Sequence, residues 1–330
     1  MNRTFPLPTR PLLTRRRALS LGVAGGFLAS APVLWPPCGC AFAAMPAEMT
    51  LKEVAPGLHV FSAPYELVGP GNGGAIANMA VVIGDDAAAI IDTGNSRLAG
   101  LRFAAAVKAV TDRPVRYVIN THMHPDHVLG NAAFVGADVR FVGHHKLPRA
   151  LAARQDTYLD QVRRLLGAEG EGTQIVLPEL LVEDRLTLDL GNRVLELEAH
   201  PTAHTDNDLS VRDARTGAWL LGDLLFVGHV PTLDGSLQGW LTVLEGLKKR
   251  EASTAIPGHG PASVDWPNGG EAEWTYLDTL RTEVRRLIAE GVQMGKASEI
   301  AGRSQAGKWA LFDEFAARNA IAAYHEFEWE

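Results

Sequence analysis

Asn120-Thr121-His122-Met123-His124-Pro125-Asp126-His127 follows directly on the apolar run Val115 to Ile119, which reads as a buried strand. In extended backbone, residues two apart face the same side, so His122 and His124 can grip one cation together. Pro125 stiffens the following turn, and Asp126 and His127 project from the next stretch toward a different point. One short loop can therefore serve two adjacent cations. Four ligand-type side chains within six positions at the carboxyl end of a strand form a metal-binding signal; the plainer alternative makes each a surface or hydrogen-bonded core residue.

Downstream, His204 stands in Pro201-Thr202-Ala203-His204-Thr205, Asp223 in Leu221-Gly222-Asp223 and His259 in Pro257-Gly258-His259-Gly260; upstream, Asp92 stands in Ile91-Asp92-Thr93-Gly94. His-x-His-x-Asp-His together with these motifs, in this order, resembles the metallo-β-lactamase superfamily over about residues 54 to 262. The resemblance implies an α/β fold, the four-layer αββα metallo-β-lactamase sandwich. It implies that His122, His124 and His204 hold one zinc ion and Asp126, His127 and His259 a second, with Asp223 bridging them and Asp92 in a supporting role. It also implies hydrolysis. Two cations sharing a bridging water lower its pKa toward neutrality, and the hydroxide so formed attacks a carbonyl or phosphoryl centre. Asp126 is the catalytic candidate, orienting the hydroxide and shuttling a proton as well as binding metal. Imidazole and carboxylate donors without thiolate suit zinc, and His124 stands where iron-binding relatives often carry Glu.

After His204 the chain reads Thr205-Asp206-Asn207-Asp208, where many relatives have glycine. Asn and Asp tolerate left-handed backbone, so a turn is expected to persist. Asp208 either hydrogen-bonds a ligand histidine or serves only as a turn carboxylate. The segment Tyr65 to Asn78, built around Gly69-Pro70-Gly71-Asn72-Gly73-Gly74, corresponds in the family to a flexible flap over the site. Tyr65, Glu66 and Asn78 are substrate-contact candidates on it, a plain surface loop being the alternative. His229, six residues beyond Asp223, is a further substrate-contact candidate. His144 and His145 are weaker ones, and His59, His200 and His325 read as structural or exposed.

The chain has 330 residues, 46% of them hydrophobic, enough for a substantial core. Residues 1–43 carry five arginines and no acidic residue, so removing them takes the formal charge from −7 to −12. An acidic body of that kind makes nucleic acid a poor partner. Thr14-Arg15-Arg16-Arg17-Ala18-Leu19, the mildly apolar run to Leu34 and the cleavage-like Ala41-Phe42-Ala43 resemble a twin-arginine signal peptide. That implies export to the periplasm, with no stable membrane insertion after cleavage; an uncleaved anchor is the alternative. Cys38 and Cys40 both precede the cut, leaving the mature chain without thiolate ligands.

From residue 48 to 330 a single hydrolase domain is expected. Apolar runs Met79 to Gly84 and Ala87 to Asp92 flank the turn Gly84-Asp85-Asp86. Helical spacing marks Arg97 to Val110, an insertion near residues 146–167, and Ser236 to Arg250. The helical C-terminal extension spans 271–330. The export signal, the segment Val230 to Leu237 and the ending Glu328-Trp329-Glu330 are similar to the quinoprotein relay system zinc metallohydrolases, SoxH-like proteins. That resemblance implies a small-molecule substrate and a periplasmic quinoprotein dehydrogenase pathway as partner. An antibiotic-hydrolysing zinc β-lactamase and a non-catalytic metal-binding accessory protein are the competing readings; intact ligands weigh against the latter, since buried charged side chains are costly without their metal.

Overall fold

The computed structural model describes residues 49–330. The export signal and both cysteines lie outside the described residues. The first sheet holds β1 (Lys52–Ala55), β2 (Leu58–Phe61), β3 (Met79–Ile83), β4 (Ala88–Ile91), β5 (Val115–Ile119), β6 (Arg140–His144) and β7 (Leu180–Val182), neighbours in that order. Its first four strands pair antiparallel and the rest parallel. The second sheet runs β13 (Val264–Asp265), β12 (Thr254–His259), β11 (Trp219–Phe226), β10 (Leu209–Asp213), β9 (Val194–Ala199) and β8 (Arg185–Asp189).

Side-chain alternation assigns the layers. Ala80, Val82, Ile91 and Ile119 face the other sheet and meet Leu197, Leu209, Val211, Leu220 and Ile256. Their neighbours Val81, Ile90 and Val118 face outward onto Phe103 and Val107 of α1 (Arg97–Val110). Such two-faced burial explains why these strands read as continuous apolar runs, and each fully buried large side chain contributes about 1.5–3 kcal/mol. Ser96 caps α1 by accepting a hydrogen bond from the Ala99 amide at 3.0 Å. The short α2 (Pro125–Val128) has proline in its first turn, where the missing amide costs nothing. The insertion helix α3 (Leu147–Leu166) packs Leu147, Leu151 and Val162 against Met123 and Leu129, directly beneath the histidine loop.

Outside the second sheet lie α4 (Leu237–Lys248), α5 (Glu271–Ala289), α6 (Met294–Ile300) and α7 (Phe312–Phe327). Trp240, Tyr276, Leu280 and Ala320 join Leu221 and Leu225 in one cluster on that side. The layers are therefore helix, sheet, sheet, helix, with the C-terminal helices completing the last. Arg193 links the two sheets: within the second it grips both oxygens of Asp213 at 3.1 and 2.6 Å, and it donates across to the Ile83 carbonyl of the first at 2.8 Å. Among the described residues no helix is long and apolar enough to cross a membrane.

Candidate metal centre

Five elements converge at one end of the sandwich. His122 and His124 sit in the loop after β5, Asp126 and His127 in α2, His204 in the β9–β10 loop, Asp223 on β11 and His259 at the end of β12. Ligand atoms of His122, His124, His204 and Asp223 lie within 4.8 Å of one another, and those of Asp126, His127 and His259 do likewise. Asp223 joins the groups. Its Oδ2 is 3.6 Å from His122 Nε2, 3.4 Å from His204 Nε2 and 3.5 Å from His259 Nε2, and its Oδ1 is 3.2 Å from His127 Nε2. Gly258 makes that approach possible, because a Cβ there would stand 1.9 Å from Asp223 Oδ1.

The outer hydrogen bonds set the imidazole tautomers. His204 Nδ1 donates to the Thr232 carbonyl at 2.7 Å, which leaves Nε2 a lone pair. His124 Nε2 meets Asp234 Oδ2 at 3.0 Å, which leaves Nδ1 a lone pair. These two lone pairs face each other at 3.0 Å, an arrangement that needs a cation. His127 Nδ1 meets Asp92 Oδ2 at 2.8 Å. Thr121 Oγ1 donates to the same Asp92 oxygen at 2.7 Å and so accepts from His122 Nδ1 at 3.0 Å. Asp92 thereby sets two rings. His122 Nε2, His127 Nε2 and Asp223 Oδ1 are buried with no hydrogen-bond partner among the described residues. Buried polar atoms are ordinarily satisfied, so these orphans, with their oriented rings, fit bound metal.

The electrostatics agree. Burial would lower the His127 and His259 pKa values, yet Asp223 and its neighbours raise His127 well above the usual range and His259 to about 9. Burial pulls His204 down to about 3 and His122 well below its ordinary value, with His127 adding to the effect on His122. Without a cation, protons on His127 and His259 balance the carboxylates; a divalent cation balances them instead and releases those protons.

A cleft of about 570 Å³ opens over the centre, bordered by Asp126, Asp223 and His259. His229 borders it too: its Nδ1 donates to the Val230 carbonyl at 2.7 Å, so Nε2 is an acceptor, and burial first, then His259, lowers its pKa to about 4. Two substrate-contact candidates are held by backbone groups outside the cleft lining. Asn78 is buried away from the cleft, accepting from the Ala63 amide at 2.9 Å and donating to the Pro257 carbonyl at 2.9 Å, so it anchors the His259 loop. Tyr65 spends its hydroxyl on the Val227 carbonyl at 2.7 Å and braces the His229 loop from outside the cleft lining. The flap contributes Glu66, Leu67 and Val68 to the cleft instead. Its Asn72 stitches it closed, accepting from Gly74 at 3.0 Å and donating to Leu67 at 2.9 Å.

Asp208 touches no ligand ring; it accepts from the Thr205 amide at 2.8 Å and hydroxyl at 2.7 Å, closing the turn with no left-handed residue in it. His144 is structural, accepting from the Lys146 amide at 3.1 Å. Sequence reasoning missed Asp234 and the Thr232 carbonyl, about a hundred residues from the rings they orient in the case of Asp234. Both belong to a segment pinned by α7. Asn319 accepts from Leu233 at 2.9 Å and donates to Pro231 at 2.6 Å, and Glu326 accepts from the Ser236 hydroxyl at 2.7 Å.

A family model described as the metallo-beta-lactamase superfamily matches residues 72–259. A linear primary-alkylsulfatase from Pseudomonas sp. (strain ATCC 19151) is 33% identical over 73 residues, 22% of this chain and 13% of that protein. Among solved structures, a metallo-beta-lactamase from Pontibacter korlensis superposes with a TM-score of 0.56 at 17% identity, over 70% of this chain and 99% of that one. A stereoselective inverting sec-alkylsulfatase from Pseudomonas sp. superposes with a TM-score of 0.66 at 15% identity, over 84% of this chain and 50% of that one. The chain thus spans about half the length of the one alkylsulfatase and a smaller part of the other.

Proposed function

The chain belongs to the metallo-beta-lactamase superfamily, and from that premise we propose that it is an exported dinuclear zinc hydrolase of a small substrate, attacking a carbonyl or phosphoryl centre. The observation that carries this reading is the pair of ligand clusters joined by Asp223, with His122 Nε2, His127 Nε2 and Asp223 Oδ1 buried and unpartnered. His122, His124 and His204 would hold one ion, Asp126, His127 and His259 the other, and Asp223 both. Bound there, zinc supplies Lewis acidity and brings the pKa of water toward neutrality.

The protein's own groups do the rest. Asp92, Thr121, Thr232 and Asp234 hold four imidazoles in the tautomer that offers a lone pair inward. Asp126 Oδ2, 3.3 Å from His259 Nε2, borders the cleft and is placed to orient the attacking water and pass its proton toward the leaving group. Neutral His229 offers Nε2 as an acceptor to a substrate hydroxyl or amide.

The Arg15-Arg16 pair with its weakly apolar following segment supports twin-arginine export to the periplasm. The Val230 to Leu237 segment and the Glu-Trp-Glu ending support a SoxH-like place beside a quinoprotein dehydrogenase pathway. Zinc-loaded protein tested on esters, thioesters, lactams and phosphodiesters should turn over at least one class, and Asp223→Asn should lose metal and turnover together. Retention of both in that variant would remove Asp223 from the centre. Lysine at positions 15 and 16 should leave precursor in the cytoplasm; normal export would refute the route.

A further inference from the structure

The cleft is bordered by two helices whose contributions follow helical spacing. From α3 come Arg154, Tyr158, Gln161 and Leu165; from α7 and the residue that caps it come Leu311, Phe315 and Arg318. Steps of three and four residues place each set on one helix face. Each helix therefore presents one guanidinium and an apolar patch to the same space, to which the flap adds Glu66, Leu67 and Val68.

Each carboxylate bordering this space already has a partner of its own. Asp126 and Asp223 belong to the metal cluster, Asp234 is taken by His124 at 3.0 Å, and Glu66 accepts from the Asn72 side-chain amide at 3.2 Å. Arg318 Nη2 makes a loose ion pair with Asp234 at 3.7 Å, without a hydrogen bond, and its side chain stays largely exposed, free to take an anion. Arg154, half-buried, forms no ion pair or side-chain hydrogen bond with any described residue. Tyr158 is buried to 7% exposure, and its hydroxyl has no hydrogen-bond partner among the described residues. Tyr158 borders the same cleft as Arg154, one turn before it on α3, and as Arg318, and burial raises its pKa, so the hydroxyl stays protonated as a donor. A partly desolvated guanidinium without a counter-anion is costly, and its fork of donors matches an oxyanion.

We propose that Arg154, Tyr158 and Arg318 form an oxyanion-recognition corner, and that the substrate is an amphiphile bearing a carboxylate, sulfate or phosphate group beside an apolar chain. The apolar chain lies along Leu67, Val68, Leu165, Leu311 and Phe315. That the ligand is also a substrate rests on the hydrolase reading above; that it binds does not.

The test is calorimetric titration of the full chain, zinc-loaded and chelator-stripped, with octyl sulfate, octanoate, octyl phosphate and neutral octanol below their aggregation concentrations. At least one anion should bind tenfold or more tighter than octanol, and the three headgroups rank the oxyanions directly. Arg154→Ala/Arg318→Ala should abolish that preference, with zinc content and circular dichroism unchanged. Restoring lysine at both positions should recover part of it. Anions binding no tighter than octanol would overturn the proposal, and so would a preference that survives in the double variant, since the metals alone would then hold the anion. A protein that binds no zinc and hydrolyses nothing, yet keeps arginine-dependent anion binding, refutes the hydrolase reading and leaves the corner intact. Two zinc ions and turnover without any anion preference do the reverse.

Discussion

Asp92→Asn is the sharpest probe of how the metal centre is oriented. Asp92 lies in left-handed backbone, φ +59°, which asparagine tolerates better than other substitutes, so the main chain is kept. The native carboxylate accepts three hydrogen bonds: Thr121 amide at 2.9 Å, Thr121 hydroxyl at 2.7 Å and His127 Nδ1 at 2.8 Å. Asparagine can keep the first through its carbonyl oxygen, but its amide nitrogen then faces two donors. His127 can satisfy that nitrogen only by moving its proton to Nε2, the atom that points at Asp223 and would bind metal. The Thr121 hydroxyl that fixes His122 loses its acceptor as well. Removing such outer partners typically weakens metal affinity by about 10–100-fold, which at about 1.36 kcal/mol per tenfold is about 1.4–2.7 kcal/mol. Zinc titration of stripped protein against a chromophoric chelator should show the site of His127 weakened by that factor and the His122 site less so. Wild-type affinity at both steps in a folded variant would refute the tautomer argument.

Other outcomes follow from the same structure. Arg193→Met leaves Asp213 buried without its partner and should cost about 3–5 kcal/mol in urea unfolding; a loss under about 1 kcal/mol would mean the buried pair contributes no more than a surface one. Burial raises the Asp208 carboxyl to about 8 against its bonds from Thr205, so the folded chain keeps a proton that the unfolded chain releases near 3.8. The melting temperature of the metal-free protein should therefore gain nothing from this group, and lose stability through it, as pH rises from about 4 to about 8. Asp208→Asn should flatten that dependence, and an unchanged slope would assign it elsewhere. Penicillins, cephalosporins and carbapenems should be poor substrates, because the Asp223 carboxylate, with metal bound, would donate charge to it and weaken its pull on a departing lactam nitrogen. A kcat/KM above about 10⁵ M⁻¹s⁻¹ for any of them would favour the β-lactamase reading.

What the chain declares in sequence is what local periodicity and spacing can encode. The helix expected over Arg97 to Val110 and the strand over Val115 to Ile119 are found at those bounds, because helical spacing of apolar residues in the one and β-branched and aromatic residues in the other, despite the exposed Arg116, leave little ambiguity. The residues with metal-ligand spacing, read from one loop and three separate motifs, are brought together by the fold. The hairpin Lys52–Phe61 went unassigned because each strand has only four residues and one of them is half-solvated. Asp234 was invisible for a different reason: in Leu233-Asp234-Gly235 it reads as a turn, and only the packing of α7 turns it toward His124. Asn78 misled in the opposite sense, since polarity beside a glycine-rich loop suggests a surface contact, whereas its amide is spent on backbone groups from distant strands. The cleft arginines lie 164 residues apart, Arg154 and Arg318, and nothing local links them.

Elemental analysis of purified protein after equilibration with zinc, alongside Asp223→Asn, decides whether one carboxylate joins two metal ions in this chain. Seven candidate ligands exceed what one tetrahedral site can use. Two zinc ions per chain are expected in the wild type and at most one in the variant; one iron and no zinc, or two zinc ions retained by Asp223→Asn, would show that Asp223 does not join two zinc ions.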